Sequence, residues 1–310
     1  MLDVRRLRLL HDLDRLGTIA AVANLHVYTP SAVSQQLSAL EREAGVALLE
    51  RTGRRVTLTA AGRVLVRQAA AVLAALESAD AALAAVRAGP SGPLRIGAFP
   101  SAVRTILPPA LVALAREHPA LELMVTELDP AAVPSALRDR TVDAGLTHSY
   151  DLLPLPGGPS PATDDLESVP LLDEAVHVAV PSPLADPSSA PGASIADLRE
   201  RDWVMASPGT LCHEAAMLVC ATAGFTPRIR HQADDFTAVL ALVAAGQGVA
   251  LIPALAVTTL PPGVRLLPAP TRRRTRIAYR RGAATHPSVA ALTAALHTSA
   301  AALPALLPGP

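Results

Sequence analysis

Thr29-Pro30-Ser31-Ala32-Val33-Ser34-Gln35-Gln36-Leu37-Ser38-Ala39-Leu40-Glu41-Arg42-Glu43 is the stretch that decides the fold. Thr29 offers a hydroxyl to cap a helix, and Pro30 stands at the first helical position, where a missing N–H costs nothing. Ala32, Val33, Leu37 and Leu40 recur at helical spacing and form a buried stripe. The opposite face carries Ser31, Ser34, Gln35 and Ser38, short or amide-bearing groups that reach base edges in a major groove. Upstream, Thr18 caps a short helix through Ile19-Ala20-Ala21-Val22-Ala23, and a turn around His26 and Val27 separates the two. Two helices so joined predict a helix-turn-helix whose second member reads DNA. Downstream, Glu50-Arg51-Thr52-Gly53-Arg54-Arg55-Val56 forms a Gly-centred wing with three arginines suited to phosphate.

The whole chain sets limits on that reading. At 310 residues it exceeds the usual size of one core, so two or more domains are expected. No lysine occurs and the formal net charge is zero, which excludes a globally basic nucleic-acid binder. Residues 1–70 hold ten Arg against six Asp plus Glu, so any DNA contact is a local patch. Arg5, Arg6 and Arg8 lie among leucines near the start, but Asp12, Asp14 and Arg15 interrupt any signal-peptide core. No charge-free apolar run of about 18 residues is present, which argues against a membrane span. A cytoplasmic protein is expected. Cys212 and Cys220 are the only cysteines, too few for a disulfide scaffold or a zinc site, and neither a metal nor another cofactor is expected.

A long helical stretch from Thr59 to Val86 stops at Ala88-Gly89-Pro90-Ser91-Gly92-Pro93. Within it Leu65, Ala69, Val72, Leu76, Ala79, Leu83 and Val86 follow a heptad seam. The seam fits either packing on its own domain or pairing of two chains; its length and interdomain place favour a homodimer. After it, short β-rich and helical runs alternate, which predicts two α/β halves joined by crossing strands. The expected domains are 1–58 (winged helix-turn-helix), 59–88 (dimerisation helix) and 93–310, the last divided into 93–168 with 268–310 and 169–267.

The chain resembles the LysR-type transcriptional regulators. The resemblance rests on Gly17-Thr18-Ile19-Ala20-Ala21-Val22-Ala23, Tyr28 to Leu37, Leu40-Glu41, Leu49-Glu50-Arg51, Thr57-Leu58-Thr59-Ala60-Ala61-Gly62 and the late Gly246-Gln247-Gly248-Val249-Ala250-Leu251-Ile252-Pro253. It implies an α+β multidomain fold whose effector domain is similar to type 2 periplasmic binding proteins. It implies dimers, commonly paired into tetramers, on spaced half-sites of double-stranded DNA, with contact to RNA polymerase altered by a small effector. Carried onto this chain, base contacts fall to Thr29, Pro30, Ser31, Ser34 and Gln35, and phosphate contacts to Arg51, Arg54 and Arg55. One departure stands out: His26 occupies a place where the family usually buries a leucine. Either Leu25 takes that role or the turn is shifted.

In a doubly wound domain, ligands bind beyond the carboxyl ends of strands, near helix N-termini. Gly97-Ala98-Phe99-Pro100-Ser101 and Ala206-Ser207-Pro208-Gly209-Thr210 are two such places. The expected effector residues are Ser101, Ala102, Thr126, Thr147, His148, Ser207, Pro208, Gly209 and Thr210. This geometry favours a small anion such as a carboxylate, with Arg104 and His148 as countercharges; the alternative is a vestigial cleft. Cys212 and Cys220 are similar to the paired cysteines of peroxide-sensing family members. Eight residues of helix separate them by about 12 Å, however, so two buried thiols are expected. The arginines of Arg272 to Arg281 read as exposed charges on a strand. No nucleophile elbow, phosphate loop or metalloprotease motif supports an enzyme. The competing reading is a ligand-binding protein whose helix-turn-helix serves only self-association.

Overall fold

The computed structural model describes residues 1–52, 55–86, 89–153, 165–182 and 194–303. It divides into two compact units: Met1–Gly89 with residues 165–167 and Tyr279–Val289, and the rest of the chain.

In the first unit each helix starts where local chemistry satisfies its free N–H groups. α1 (Val4–Leu16) opens on Asp3, whose carboxylate accepts from the Arg5 and Arg6 amides. α2 (Ile19–His26) opens on Thr18, which accepts from the Ala21 amide. α3 (Pro30–Ala44) opens on Thr29, which accepts from the Ala32 amide, and closes on Gly45 at φ 69°. Glu41 then accepts from the Leu48 and Leu49 amides at 2.9 and 3.0 Å, pinning the chain for the hairpin that follows. β1 (Leu49–Thr52) and β2 (Arg55–Leu58) pair antiparallel, with Leu49 opposite Leu58. α4 (Ala60–Val86) runs so close beneath them that a β-carbon at Gly62 would lie 2.2 Å from the Leu48 carbonyl oxygen. Leu10, Val22, Ala23, Val33, Leu37, Leu40, Leu48 and Ala69 are enclosed in one core. Burying each larger aliphatic side chain there contributes about 1.5–3 kcal/mol.

The heptad seam of α4 is divided. Leu65 and Ala69 belong to the helix-turn-helix core, whereas Val72, Leu76, Leu83 and Val86 are 38, 41, 67 and 85 % exposed. Among the described residues, α4 is the one helix long and apolar enough to cross a membrane by length and composition. Its first turns close the helix-turn-helix core through Leu65, Val66 and Ala69. Further along, Glu77 accepts from Arg280 Nε at 2.8 Å. Gly282, at φ 90°, lies against α4 where a β-carbon would fall 2.4 Å from the Ala74 carbonyl oxygen.

The second unit is α/β. β3 (Gly92–Ala98), β4 (Leu121–Glu127), β5 (Ala144–Tyr150), β6 (Leu166–Pro181), β9 (Ala250–Pro253) and β10 (Val264–Arg280) form one sheet in the order β4-β3-β5-β10-β6-β9. β3 pairs parallel with β4 and β5, and β6 pairs antiparallel with β9. β7 (Asp202–Met205) and β8 (Arg228–Gln232) pair parallel, and a bridge from Trp203 to Val249 joins them to the start of β9. The long strands β6 and β10 therefore cross between two α/β halves. α5 (Pro100–Arg104), α6 (Leu107–Glu117) and α7 (Val133–Arg138) belong to the first half, and α8 (Leu211–Thr222) and α9 (Phe236–Ala244) to the second. α10 (Pro287–Ala301) ends the described chain. The run 195–200 is a short 3₁₀ turn, Ile195–Leu198, closed by a capping box between Ser194 and Asp197.

One expectation about β10 is corrected. Its pleat alternates sides at every residue, so Thr271, Arg273 and Thr275 point inward at 4, 1 and 1 % exposure while Arg272 and Arg274 face solvent. The arginine run is thus not uniformly a solvated face.

Candidate DNA-reading face and effector cavity

On α3, Thr29, Pro30, Ser31 and Gln35 are exposed and Ser34 is half-buried. The Thr29 and Ser31 hydroxyls lie 3.0 Å apart, so the cap and the first reading position are fixed together. Gln36, beside that face, accepts from Arg6 Nε at 2.9 Å. Arg51 and Arg55 are hairpin residues whose side chains, with all of Arg54, lie outside the described residues. A groove of about 650 Å³ beside α3 is lined by Arg5, Arg6, Arg8, Tyr28, Ala32 and Gln36 among others. Arg5 and Tyr28, both exposed, widen the candidate nucleic-acid face. The leucine-interrupted N-terminal arginines were the signal for Arg5 in the sequence, and Tyr28 opens one of the stretches that carry the family resemblance.

The structure shows what His26 does. Its Nε2 lies 2.8 Å from Asp12 Oδ2, and Asp12 is 6 % exposed. Arg15 donates to the other oxygen of Asp12 at 3.4 Å. A polar pair thus joins α1 to the end of α2, and Leu25 stays half-buried. Val27 follows at φ 56° with 91 % of its surface exposed.

In the α/β unit, the ends of β3, β4 and β7, with His148 of β5 and Arg273 from the middle of β10, open on a cavity of about 220 Å³. Ser101, His148 and Thr210 line it, together with Phe99, Cys212, Asp234, Phe236 and Arg273. Ala102, Thr126, Thr147, Ser207, Pro208 and Gly209 do not line it. Ala102 is buried in α5, Thr126 is exposed on β4, and Thr147 points to the side of β5 opposite His148. Ser207 donates through its amide and hydroxyl to Asp234, at 2.7 Å each. Thr210 caps α8, accepting from the His213 amide.

Arg273 is the residue that sequence reading missed. Its Nε donates to Glu174 Oε1 at 2.8 Å, and both side chains are 1 % exposed. A second nitrogen donates to Ser101 Oγ at 3.2 Å, and the guanidinium lies 5.0 Å from the Phe99 ring centroid. Burial is the strongest influence and opposes the charge on Arg273, but Glu174, Tyr150 and Cys212 together outweigh it and keep the pKa above its ordinary value. Burial first, and then Arg273, hold the His148 imidazole well below the usual histidine range. His148 packs edge-on between Phe99 and Tyr150, and its Nδ1 has no hydrogen-bond partner.

The charges weigh against the expected carboxylate ligand. His148 is neutral at pH 7. Arg104 is outside the cavity, paired with Asp235 at 2.7 Å. Arg273 is matched by Glu174. The thiols are also quiet: burial pushes Cys220 up to about 12, and burial pushes Cys212 up although the Tyr150 hydroxyl, 3.3 Å away, opposes it. Both cysteines are free; Cys220 is buried and Cys212 half-buried. Among the described residues no His, Cys, Asp or Glu cluster is placed to hold a metal.

Two family models match the chain: a bacterial regulatory helix-turn-helix protein of the lysR family over residues 4–63, and a LysR substrate binding domain over residues 87–301. The DNA-binding transcriptional dual regulator OxyR of Escherichia coli is 32 % identical, covering 84 % of each chain. A probable hydrogen peroxide-inducible genes activator of Mycobacterium avium is 35 % identical over 73 % of this chain and 70 % of its own. Full-length CbnR complexed with its target DNA shares 25 % identity with a TM-score of 0.51, over 96 % of this chain and all of that one.

Proposed function

Because this chain belongs to the LysR family of DNA-binding transcription regulators with an effector-binding domain, we propose how its own residues divide that work. α3 enters the major groove, where Thr29, Pro30, Ser31, Ser34 and Gln35 meet bases and Arg51, Arg54 and Arg55 grip the flanking phosphates. The observation that carries this reading is the capped, solvent-facing row on α3 within a family match over that segment. The exposed part of the α4 seam (Val72, Leu76, Ala79, Leu83 and Val86) pairs with a second chain, and dimers pair again on spaced half-sites. A small effector in the 220 Å³ cavity, held by residues that include Ser101, His148 and Thr210, alters DNA bending and the approach of RNA polymerase. The protein works in the cytoplasm as a regulator and not as an enzyme. Ligand binding drives the response in preference to thiol oxidation, because the thiolate is the reactive form and both thiols here are held protonated.

Fluorescence anisotropy with the protein's own upstream DNA tests the reading. Specific binding should exceed that to shuffled DNA by at least about a thousandfold. Gln35→Ala should lower the ratio, and Arg54→Ala should weaken both DNAs equally and flatten the salt dependence by about one counterion. Equal affinity for the two DNAs overturns it.

A further inference from the structure

We propose that the effector is a small organic cation, an amine with an apolar body and a hydrogen-bonding group that meets His148; this rests on the reading of the cavity as the effector site. Four observations converge. First, the cavity holds one arginine, Arg273, and its charge is already answered by Glu174 at equal burial. An entering carboxylate would have to compete with a carboxylate that is in place and preorganised.

Second, three further acids, Glu127, Asp129 and Asp234, line the same cavity. Asp129 accepts from the Ala131 amide and Asp234 from Ser207, and each carboxylate keeps lone pairs for a further donor. The lining charge is therefore negative once the Arg273 and Glu174 pair is set aside, and a cation is drawn to it. Third, His148 is 8 % exposed, lines the cavity, and carries an unpartnered Nδ1. A buried polar atom left unpaired is unfavourable, so a ligand that meets it gains more than one that does not. Its imidazole is neutral and repels no cation. Fourth, Phe99, Leu128, Leu211 and Phe236 supply apolar walls for the body of such a ligand. At about 220 Å³ the cavity lies below the ~300–1,000 Å³ of drug-sized sites, which limits the ligand to roughly a single ring with a short arm.

Isothermal titration of the full chain with tyramine, 4-hydroxyphenylacetate and tyrosol tests the class, since the three share a ring and differ in the charged end. Tyramine should bind at least tenfold more tightly than either of the others. Glu127→Gln and Asp129→Asn, both at exposed positions, should each weaken tyramine severalfold or more and leave tyrosol unchanged. His148→Phe keeps a ring in place and removes the hydrogen bond. In that variant tyramine and phenethylamine should bind alike, whereas the wild type should prefer tyramine. Preference for the acid, binding of none of the three at millimolar concentration, or undiminished amine affinity in both acid variants overturns the proposal. DNA anisotropy on the same samples separates the two readings: an amine that binds without altering DNA affinity or footprint overturns the effector site and leaves the ligand class standing.

Discussion

His26, at the end of α2, is tied back to α1 because Asp12 stands 2.8 Å away. A double-mutant cycle of His26→Ala and Asp12→Ala, read by thermal unfolding, should return a coupling of about 1 kcal/mol; additivity within ~0.3 kcal/mol would mean that the pair does not hold the turn. Arg273 and Glu174 behave differently because both side chains are 1 % exposed. Arg273→Met should lower stability by about 3–5 kcal/mol by leaving the Glu174 charge alone, and adding Glu174→Leu should restore part of the loss. His148 gives a pH signature. Its folded pKa is lowered well below 6.5 by burial and by Arg273, so the unfolded chain binds more protons below that pH. The stability it confers is then full above about pH 6.5 and declines as pH falls through that value. The melting temperature should drop between pH 7.5 and 5.5 less steeply in His148→Phe than in wild type. His177, lowered by burial as well, leaves a residual slope.

Among the elements, α4 has two unlike stretches on one helix. Its first turns close the helix-turn-helix core through Leu65, Val66 and Ala69, and its later seam leaves Leu76 and Leu83 exposed at 41 and 67 %. If that seam pairs with a second chain, Leu76→Glu with Leu83→Glu should shift sedimentation from dimer or tetramer to monomer and weaken operator binding, while the melting temperature changes little. An unchanged mass would refute the seam. Gly282 tests the other side of this helix. Any side chain there meets the Ala74 carbonyl and Ser78 within 2.5 Å at a backbone φ of 90°. Gly282→Ala should therefore cost about 2–4 kcal/mol, more than the usual penalty for a left-handed residue alone. The strand β10 shows how a period of two divides one arginine run into solvent-facing Arg272 and Arg274 and a buried Arg273.

For the whole molecule, the regulator reading requires that ligand and DNA speak to each other. Whatever factor a bound amine applies to operator affinity, operator DNA must apply to amine affinity, because the coupling free energy is a property of the pair. Titrating each in the presence of the other should give the same factor, and unequal factors would show that a third state or a change of assembly intervenes. Much of this architecture was legible in the chain. Thr18 and Thr29 start helices by accepting from amides three positions on, Pro30 by its fixed backbone angle, and Val33, Leu37 and Leu40 mark a core side by spacing alone. The βα rhythm and the positions of Ser101 and Thr210 just beyond strand ends were readable for the same reason: both are short-range patterns. The cavity's character was not. Arg273 meets Glu174 from 99 residues away and Ser101 from 172, and only that meeting turns a basic residue into a neutralised one and leaves the acids of the lining to set the charge. The sequence by itself determined the helices, their caps and the family's plan, because those rest on neighbours along the chain. The tertiary structure alone decided which charges cancel, because cancellation depends on distance in space and on the exclusion of water.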